Sequence, residues 1–354
     1  MPTVHDIARH AGVAVGTVSR VLHHHPAVRE EMRRCVWRAV EELDYRPLRR
    51  HAGRQMLRHV GVVTLGMDRW LAALPVIGCL LHGVHDALRA QDITLSLIDI
   101  PQPEIIPNAI ISRGVDAMIV KAVLRSGQAH WPVPLRAALS AIPHVWLTGR
   151  PDGFTGDTCG VDDYAVGATA AHHLLSCGHR RLAILNPDPG HLLFARRCAA
   201  FRQVAEQAGA IVRILECHTA CPPFPCPPVA NLPDVLPLVD QLLAVRPRLT
   251  GLFTPSDSIA TQVYRALAMR GCRVTDDISI VSANHEASLL AGLHPRLTTI
   301  DIHAEEAGSR AVELLFWRMA HPDASEQNVQ LSPTLVPGES VAMQDDSGGS
   351  YDGR

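Results

Sequence analysis

Residues 15–20 combine small, hydroxyl-bearing and cationic side chains in a segment with helical periodicity. Val18 and Val21 fall on the apolar face of this helix, so the other positions at its start point outward. The outward set comprises Val15, Gly16, Thr17, Ser19 and Arg20. The Arg20 guanidinium can donate two parallel hydrogen bonds to O6 and N7 of guanine, whereas the two members without polar side chains offer shape and contact with a thymine methyl group. We therefore expect this set to contact the base edges of DNA.

Three predicted helices would position this segment. Thr3 can cap the first helix in a capping box with Asp6, and Gly12 ends that helix with a sharp turn. The second helix begins near Val15, and a third runs from about residue 29 to residue 43. In a helix-turn-helix, the N-terminal end of the second helix enters the major groove. Further predicted DNA contacts lie outside the second helix, at Thr3, His23 and Arg29.

The charge distribution agrees with a DNA-binding head on a separate body. Residues 1–58 contain eleven Arg, no Lys and six acidic residues, a formal charge of +5, and the rest of the chain carries −7. A basic module is suited to phosphates, and its binding should be sensitive to salt. No apolar run reaches the roughly 18–20 residues of a membrane span. The chain opens directly on the first helix, so we expect a cytoplasmic protein whose nine cysteines are reduced thiols.

After residue 58 the sequence alternates between buried strands and amphipathic helices. The predicted strands are approximately 59–66, 93–100, 115–120, 144–148, 181–186, 211–216, 251–254 and 278–282. The predicted helices are approximately 74–90, 164–176, 193–208, 232–245, 256–269 and 304–319. Such alternation indicates parallel sheets covered on both faces, and its length favours two doubly wound subdomains with a ligand cleft between them.

A run of residues at the N-terminus carries a family pattern. The matching residues are Asp6-Ile7-Ala8, Ala11-Gly12-Val13, Thr17 to Leu22, Pro26, Val28, Glu41-Glu42-Leu43 and Tyr45-Arg46-Pro47. They resemble the DNA-binding head of the LacI/GalR (lactose-repressor/galactose-repressor) family of bacterial regulators. In the body the resemblance continues through residues 160–167, 178–185, 276–281 and 297–315, so it covers about residues 3–340.

The resemblance implies an α/β protein with an N-terminal three-helix helix-turn-helix head and a two-subdomain type I periplasmic-binding-protein-like body with parallel sheets. The expected ranges are 1–48 for the head, 49–58 for the hinge, 59–340 for the core that binds ligand and dimerises, and 341–354 for a disordered tail. Subdomain one should span about 59–160 and 291–320, and subdomain two about 161–290 and 321–340. In this family the chain crosses between the subdomains three times.

The resemblance also suggests ligand contacts. Arg197 lies four residues before Phe201, where the family places an Arg that hydrogen-bonds a sugar or a similar ligand, although it could instead be a structural or surface charge. Asp257 aligns with a cleft Asp or could simply cap a helix. Asn284 stands where the family usually has a ligand-binding Asp, which indicates a different ligand. The first strand should lead to the cleft mouth, where we expect Asp68 and Trp70 to contact ligand or, for Trp70, to pack between subdomains.

The hinge departs from the family pattern. Family members carry a Leu seven residues past the Pro, and this Leu wedges into the minor groove, whereas Arg54 occupies that position here. Three interpretations are open. Either Met56 or Leu57 is the wedge in a shifted register, or Arg54 enters a narrow minor groove, or the segment is a basic linker that touches phosphates only.

Other patterns are weaker. The cluster Cys217-His218-x-x-Cys221-x4-Cys226 has irregular spacing within a Pro-rich stretch, so we expect a loop and no metal site. No P-loop, nucleophile elbow or H-E-x-x-H motif is present, so we expect no catalytic residues, no cofactor and no enzyme activity.

We thus predict a sequence-specific regulator, most simply a repressor. Its partners should be a pseudo-palindromic double-stranded DNA operator, a sugar-like small-molecule effector and a second copy of the chain in a homodimer, without a membrane. The alternatives are a constitutive DNA-binding regulator with a vestigial cleft and a solute-binding protein.

Overall fold

The computed structural model describes residues 4–22, 28–43, 57–67, 75–126, 131–217 and 234–344. The chain divides into two compact units, Met1–Met56 and Leu57–Arg354, which we call the head and the body. Within the described ranges, no helix has both the length and the apolar character needed to cross a membrane.

The head contains three helices around a small apolar core. They are α1 (Val4–Ala11), α2 (Val15–Leu22) and α3 (Glu30–Glu42). Ile7, Val18 and Val36, one from each helix, are fully buried together. Gly12 adopts a φ of +63°, a conformation that is strained for other residues, and this allows the tight turn between α1 and α2. His10 on α1 lies 2.6 Å from the Glu42 carboxylate on α3, which links the two ends of the bundle.

The body contains two six-stranded sheets. The strands of the first sheet are β1 (His59–Leu65), β2 (Thr94–Ile100), β3 (Ala117–Ala122), β4 (His144–Leu147), β5 (Asp157–Val161) and β11 (Asn328–Leu331). Their order is β11-β5-β4-β3-β1-β2, and all of the pairs are parallel. The strands of the second sheet are β6 (Arg181–Asn186), β7 (Ile211–Glu216), β8 (Gly251–Phe253), β9 (Ser279–Asn284), β10 (Thr298–Asp301) and β12 (Thr334–Val336). Their order is β12-β10-β9-β8-β6-β7, and only β12 pairs antiparallel.

Helices connect and cover these strands, as the alternating sequence pattern predicts. They are α4 (Pro75–Arg89), α5 (Asn108–Ile111), α6 (Val133–Ser140), α7 (Asp163–Ser176), α8 (Leu192–Gln207), α9 (Leu236–Ala244), α10 (Asp257–Met269), α11 (Ala287–Leu290) and α12 (Ala304–Ala320). Alternate residues of β1 face opposite sides, and both sides are buried: Val60 and Val62 join one apolar cluster, and Val63 and Leu65 join another. A strand buried on both faces requires a continuous apolar run, which is why β1 was recognisable in the sequence.

The crossing points between subdomains differ from the expected ranges. β10 pairs in parallel with β9 from Thr298 to Asp301, so residues 298–301 belong to subdomain two rather than to subdomain one. β11 pairs with β5, so residues 328–331 belong to subdomain one rather than to subdomain two. The expected boundary at residue 291 and the expected return at residue 320 are therefore wrong by about ten residues each. Short strands such as β10 and β11 carry too little apolar pattern to reveal which sheet they join.

Two close helix contacts depend on glycine. A Cβ on Gly83 of α4 would lie 1.9 Å from the backbone oxygen of Glu305, so α4 and α12 could not pack as they do with a larger residue. A Cβ on Gly167 of α7 would lie 2.0 Å from the backbone oxygen of Arg197 on α8. The second contact brings the backbone of α8 at Arg197 directly against α7.

Candidate functional site

The exposed start of α2 forms a surface that we call the DNA-reading surface, made of Val15, Gly16, Thr17 and Arg20. Val15 is 38% exposed although it is apolar, and Arg20 and Gly16 are also exposed. Arg29, before α3, is exposed as well. The backbone of Ser19 lies in α2, but its side chain is outside the described residues. The inward positions of α2 build the head core, so the outward positions are left free to meet a partner.

Several of the predicted DNA contacts lie outside the described residues. They are Thr3 and His23 of the head and Arg54 and Met56 of the hinge. Leu57 is described, and it is partly buried against the apolar cluster of the body. In this structure Leu57 therefore packs with the body, and its assignment as a minor-groove wedge stays a prediction.

A cavity lies between the two subdomains of the body, at the carboxyl ends of both sheets. It is partly open to solvent, and its volume is about 80 Å³. Its walls come from strand ends and from the first turns of helices, and the lining residues are Val76, Ile77, Leu80, Lys121, Thr148, Val161, Asp163, His191, Leu193, Phe194, Arg197, Ser256, Ser258, Asn284 and Ile302. A mostly apolar cleft with a few converging polar groups, at this place in an α/β sheet, is typical of a small-molecule site.

Arg197 is the centre of the polar wall. Its side chain is only 3% exposed, and its Nε donates to Asp163 Oδ1 at 2.8 Å. Its Nη1 donates at 2.9 Å both to the backbone oxygen of Pro255 and to Asn284 Oδ1. Its Nη2 has no hydrogen-bond partner among the described residues. The guanidinium is therefore held rigidly by three neighbours and keeps one nitrogen for a bound molecule.

Asn284 ends β9 with a φ of +108°, an unusual conformation for a residue other than glycine. Its Nδ2 donates to Glu286 Oε2 at 3.2 Å. Burial raises the pKa of Glu286 to about 7, and the nearby carboxylate of Asp257 adds to this rise. The predicted Asn284 position thus lines the cavity and links Arg197 to a carboxyl group that titrates near neutrality.

Asp257 occupies a different place from the cleft-lining or helix-capping position that we expected. It is fully buried and does not line the cavity. Its carboxylate accepts hydrogen bonds from the backbone N of Glu286 and from Thr299 Oγ1, both at 2.8 Å. Burial raises its pKa to about 6. Asp257 is therefore a structural tie behind the cavity wall and neither a ligand contact nor the cap of α10, whose N-cap position is Ser256. Asp68 and Trp70 lie outside the described residues.

Two buried basic residues of the wall were missed by the sequence prediction. Lys121 lies at the end of β3 and is 8% exposed, and His191 caps α8 and stacks on Phe194. Burial, together with Lys121, Arg125 and Arg197, lowers the pKa of His191 well below its usual range, so it is neutral. The sequence carried a signal for Lys121, since it is the only lysine of the chain.

Side-chain contacts join the subdomains on either side of the cavity. Arg125, after β3, makes a double hydrogen bond with Asp188, after β6, at 2.6 and 2.7 Å, and both side chains are buried. Backbone hydrogen bonds from Ser126 N to the oxygen of Gly190 and from Leu192 N to the oxygen of Leu124, both at 2.9 Å, accompany this contact. On the other side, the backbone N of Val76 on α4 donates to Glu286 Oε1 at 3.1 Å. We call these the Arg125 latch and the Glu286 latch. They hold the subdomains in the arrangement that encloses the cavity.

One cluster of potential metal ligands is described outside the cavity, on α4. His82 and His85 both lie within 3.4 Å of the Asp86 carboxylate, and the two imidazoles are more than half exposed. Asp86 also pairs with Arg89 at 3.3 Å. Pairs at this spacing are common on a solvated helix face, so we assign no metal to them. Of the Cys217–Cys226 cluster, only Cys217 is among the described residues.

Two segments of the chain match known families. Residues 3–47 match the bacterial regulatory proteins of the lacI family, and residues 171–341 match the periplasmic binding protein-like domain. The fold is also similar to that of the lac repressor dimer bound to operator and the anti-inducer ONPF, with a TM-score of 0.64 and 21% identity over 96% of this chain and 99% of that one.

Full-length relatives share both segments. The chain is 25% identical over 347 residues to the HTH-type transcriptional repressor PurR of Mannheimia succiniciproducens, covering 96% of this chain and 99% of the relative. It is 26% identical over 339 residues to the ribose operon repressor of Escherichia coli K12, and the alignment covers 95% of this chain and 98% of the relative. The chain therefore carries a lacI-family DNA-binding head and a periplasmic binding protein-like body, and it aligns along nearly its whole length with bacterial transcriptional repressors.

Proposed function

We propose that the chain is a transcriptional repressor of the bacterial cytoplasm, which binds a pseudo-palindromic operator as a homodimer and changes its operator affinity when a small molecule enters the body cavity. The observation that carries this proposal is the presence in one chain of an exposed DNA-reading surface and a cavity between the subdomains in which Arg197 is held by three hydrogen bonds. Both relatives that align over nearly the full length are named as repressors. The role is regulatory rather than catalytic.

The head supplies the sequence-specific contacts. Arg20 is the one charged residue of α2, and it is free of any ion pair among the described residues. Arg29 and the basic hinge add phosphate contacts that do not depend on sequence. A homodimer places two such heads on one duplex, which is why the preferred site should have two-fold symmetry.

The body supplies the response to ligand. The cavity wall draws residues from both subdomains, so a bound molecule contacts both and stabilises their closed arrangement. The Arg125 latch and the Glu286 latch already hold that arrangement in part. A ligand changes DNA binding only to the extent that its affinity differs between two arrangements of the body, and contacts on both sides of a cleft provide that difference.

Selection of bound duplexes from a random double-stranded oligonucleotide pool tests the DNA arm and yields the operator sequence in the same experiment. We expect a consensus with two-fold symmetry and an affinity that exceeds that for a scrambled duplex by at least about 10³-fold. Enrichment of no consensus, or of one without symmetry, would contradict the proposal. A symmetric consensus whose affinity responds to no ligand would favour the constitutive regulator instead.

A further inference from the structure

We propose that the effector is a sugar acid carrying one carboxylate, and that the ammonium group of Lys121 binds this carboxylate. This inference rests on the proposed function, because it takes the cavity to be the effector site, and it adds the chemical class of the effector. Lys121 is the only lysine among 33 basic residues, and it lies in the cavity wall.

The hydrogen bonds of Lys121 leave room for a partner. Its Nζ donates to the backbone oxygen of Ala122 at 2.8 Å, and an ammonium group has three donors. No carboxylate of the described residues lies within 4.0 Å of Nζ. Asp163, the one carboxylate in the cavity wall, is already paired with Arg197 at 2.8 Å. Two donors of a buried cation therefore remain for a partner, because the Asp163 carboxylate, whose charge acts on Lys121 from a distance, forms its ion pair with Arg197.

The charges of the cavity wall add up to a single positive charge. Arg197 and Asp163 neutralise each other, His191 is neutral, and Lys121 remains. Burial lowers the pKa of Lys121 to about 8, which leaves the group mostly charged at neutral pH. A monoanion would match this charge. An uncharged sugar would leave a buried ammonium uncompensated, and a doubly charged phosphate ester would bring one negative charge too many.

The remaining polar groups of the wall are suited to hydroxyl groups. Thr148 Oγ1 is buried and has no hydrogen-bond partner among the described residues. Ser256 and Ser258 bond only to each other through their side chains in the described part of the chain, at 2.9 Å. Arg197 Nη2 is a further donor that faces no acceptor of the described residues. A hydroxylated chain or ring attached to the carboxylate would meet these donors and acceptors, while the apolar walls exclude water.

Because Lys121 is the only lysine, ¹³Cε-lysine labelling of the full chain gives one side-chain resonance that reports on this site alone. We would titrate wild type, Lys121→Met and Lys121→Arg with D-gluconate and D-glucuronate. The matched uncharged compounds are D-sorbitol and D-glucose, and the phosphate arm is D-glucose 6-phosphate. Thermal stability provides a second readout for the Met variant, which has no lysine signal, at up to about 10 mM compound, where even weak binding raises the melting temperature.

We expect at least one of the two acids to shift the Lys121 resonance and raise the melting temperature, with no response to the uncharged compounds. Lys121→Met should bind that acid about 10- to 100-fold more weakly, the size of a lost hydrogen bond to a charged group, and Lys121→Arg should recover part of the loss. The inference is overturned if neither acid binds, if the uncharged compounds bind as tightly, if the Met variant keeps full affinity, or if the phosphate ester binds best.

The same compounds separate this inference from the proposed function. An uncharged compound or the phosphate ester that changes operator affinity overturns the carboxylate assignment and leaves the effector role of the cavity in place. A carboxylate that binds at Lys121 without any change in operator affinity supports the assignment of the ligand class and contradicts its role as an effector.

Discussion

The DNA-reading surface and the cavity recognise their partners with opposite arrangements of charge. Arg20 stands in solvent on a short helix, and the residues around it are small or apolar. Arg197 is buried and fixed by Asp163, Pro255 and Asn284. An exposed cation is solvated by water and can stay without a protein partner until DNA binds. A buried cation has lost that water, so it needs protein partners even when no ligand is bound.

This difference predicts different consequences of mutation in the two regions. A change on the DNA-reading surface should weaken binding and leave stability intact, because Val15, Gly16 and Arg20 are exposed and do not build the core of the head. A change in the cavity wall or its latches should affect stability and ligand response together. The following predictions test that contrast, from the largest expected effect to the smallest.

Arg20→Ala should cost about 1–3 kcal/mol of operator affinity per half-site, and thus about twice that for a dimer on two half-sites. Specificity should relax at one base pair, and the melting temperature should not change. Arg38→Ala, another exposed arginine of the head, is the matched control, and its effect should be equal on selected and scrambled duplexes. Anisotropy titrations on both duplexes measure the difference; unchanged selectivity in Arg20→Ala would remove it from base recognition.

Asp188→Ala breaks the Arg125 latch by removing the carboxylate that pairs with the buried guanidinium. Loss of one member of a buried ion pair typically costs about 3–5 kcal/mol. We expect a lower melting temperature and a more open body in small-angle scattering. Asp240→Ala removes an exposed pair with Arg270 and should lower the melting temperature far less than Asp188→Ala does. Equal effects of the two variants would show that the latch is not important for holding the subdomains together.

Gly167→Ala should destabilise the body by about 1–3 kcal/mol, because its Cβ would overlap the backbone of Arg197. Displacement of Arg197 should also weaken binding of the cavity ligand. Gly78→Ala is the matched control on α4, since a Cβ there meets nothing within 4 Å. That control should be neutral or stabilising by up to about 1 kcal/mol, as alanine is favoured over glycine in a helix. Chemical denaturation of both variants checks the pair.

The Glu286 latch predicts a pH effect on stability. The pKa of Glu286 is raised in the folded protein to about 7, so the folded protein favours the neutral carboxyl group. The contribution of Glu286 to the free energy of unfolding is therefore fully present below the ordinary pKa of a glutamate and is lost as the pH rises through 7. The pKa of Asp257 is also raised, to about 6, so its contribution to the free energy of unfolding is likewise lost as the pH rises, over a lower pH range. The free energy of unfolding should fall between pH 5 and 7, by at most about 1.4 kcal/mol per pH unit from one group.

Glu286→Gln should reduce that slope, because the substituted side chain does not titrate. Glu339→Gln should leave it unchanged, since the pKa of the exposed Glu339 is lowered by its hydrogen bonds to Arg296 and does not reach this range. Urea denaturation at several pH values measures the slope. A slope that is the same in wild type and Glu286→Gln would contradict the assignment of the latch.

The sequence predicted the head and the alternating body well because their patterns are local. The outward positions of α2 follow from helical spacing, and the strand β6 at Arg181–Asn186 was predicted with the observed bounds. The cavity was harder, because its polar wall joins residues from β3, α7, α8 and β9 that are distant in the chain. Family resemblance pointed to Arg197 and Asn284, both of which line the cavity.

Other residues lie in places that the sequence could not predict, and each has a physical reason. Asp257 lies between Ser256 and Ser258, which line the cavity, but its carboxylate accepts a hydrogen bond from the backbone N of Glu286, which periodicity could not reveal. Leu57 packs on the body because apolar side chains at a domain edge bury themselves where they can. Lys121 and Asp163 were missed because a single charge after a buried strand, or in the first turn of a helix, is common in proteins of every function.

Operator affinity measured in the absence and presence of cavity ligands tests most directly whether the two regions act as one regulator. The dissociation constant of wild type for its selected duplex would be measured without ligand and with each of the sugar acids, uncharged sugars and the phosphate ester at about 10 mM, a concentration at which linkage detects weak binding. We expect at least one compound to change the dissociation constant by about fivefold or more, in either direction, which is the usual range of coupling between sites. A dissociation constant that stays the same with every compound, including any compound that raises the melting temperature, would contradict the coupling of cavity to DNA.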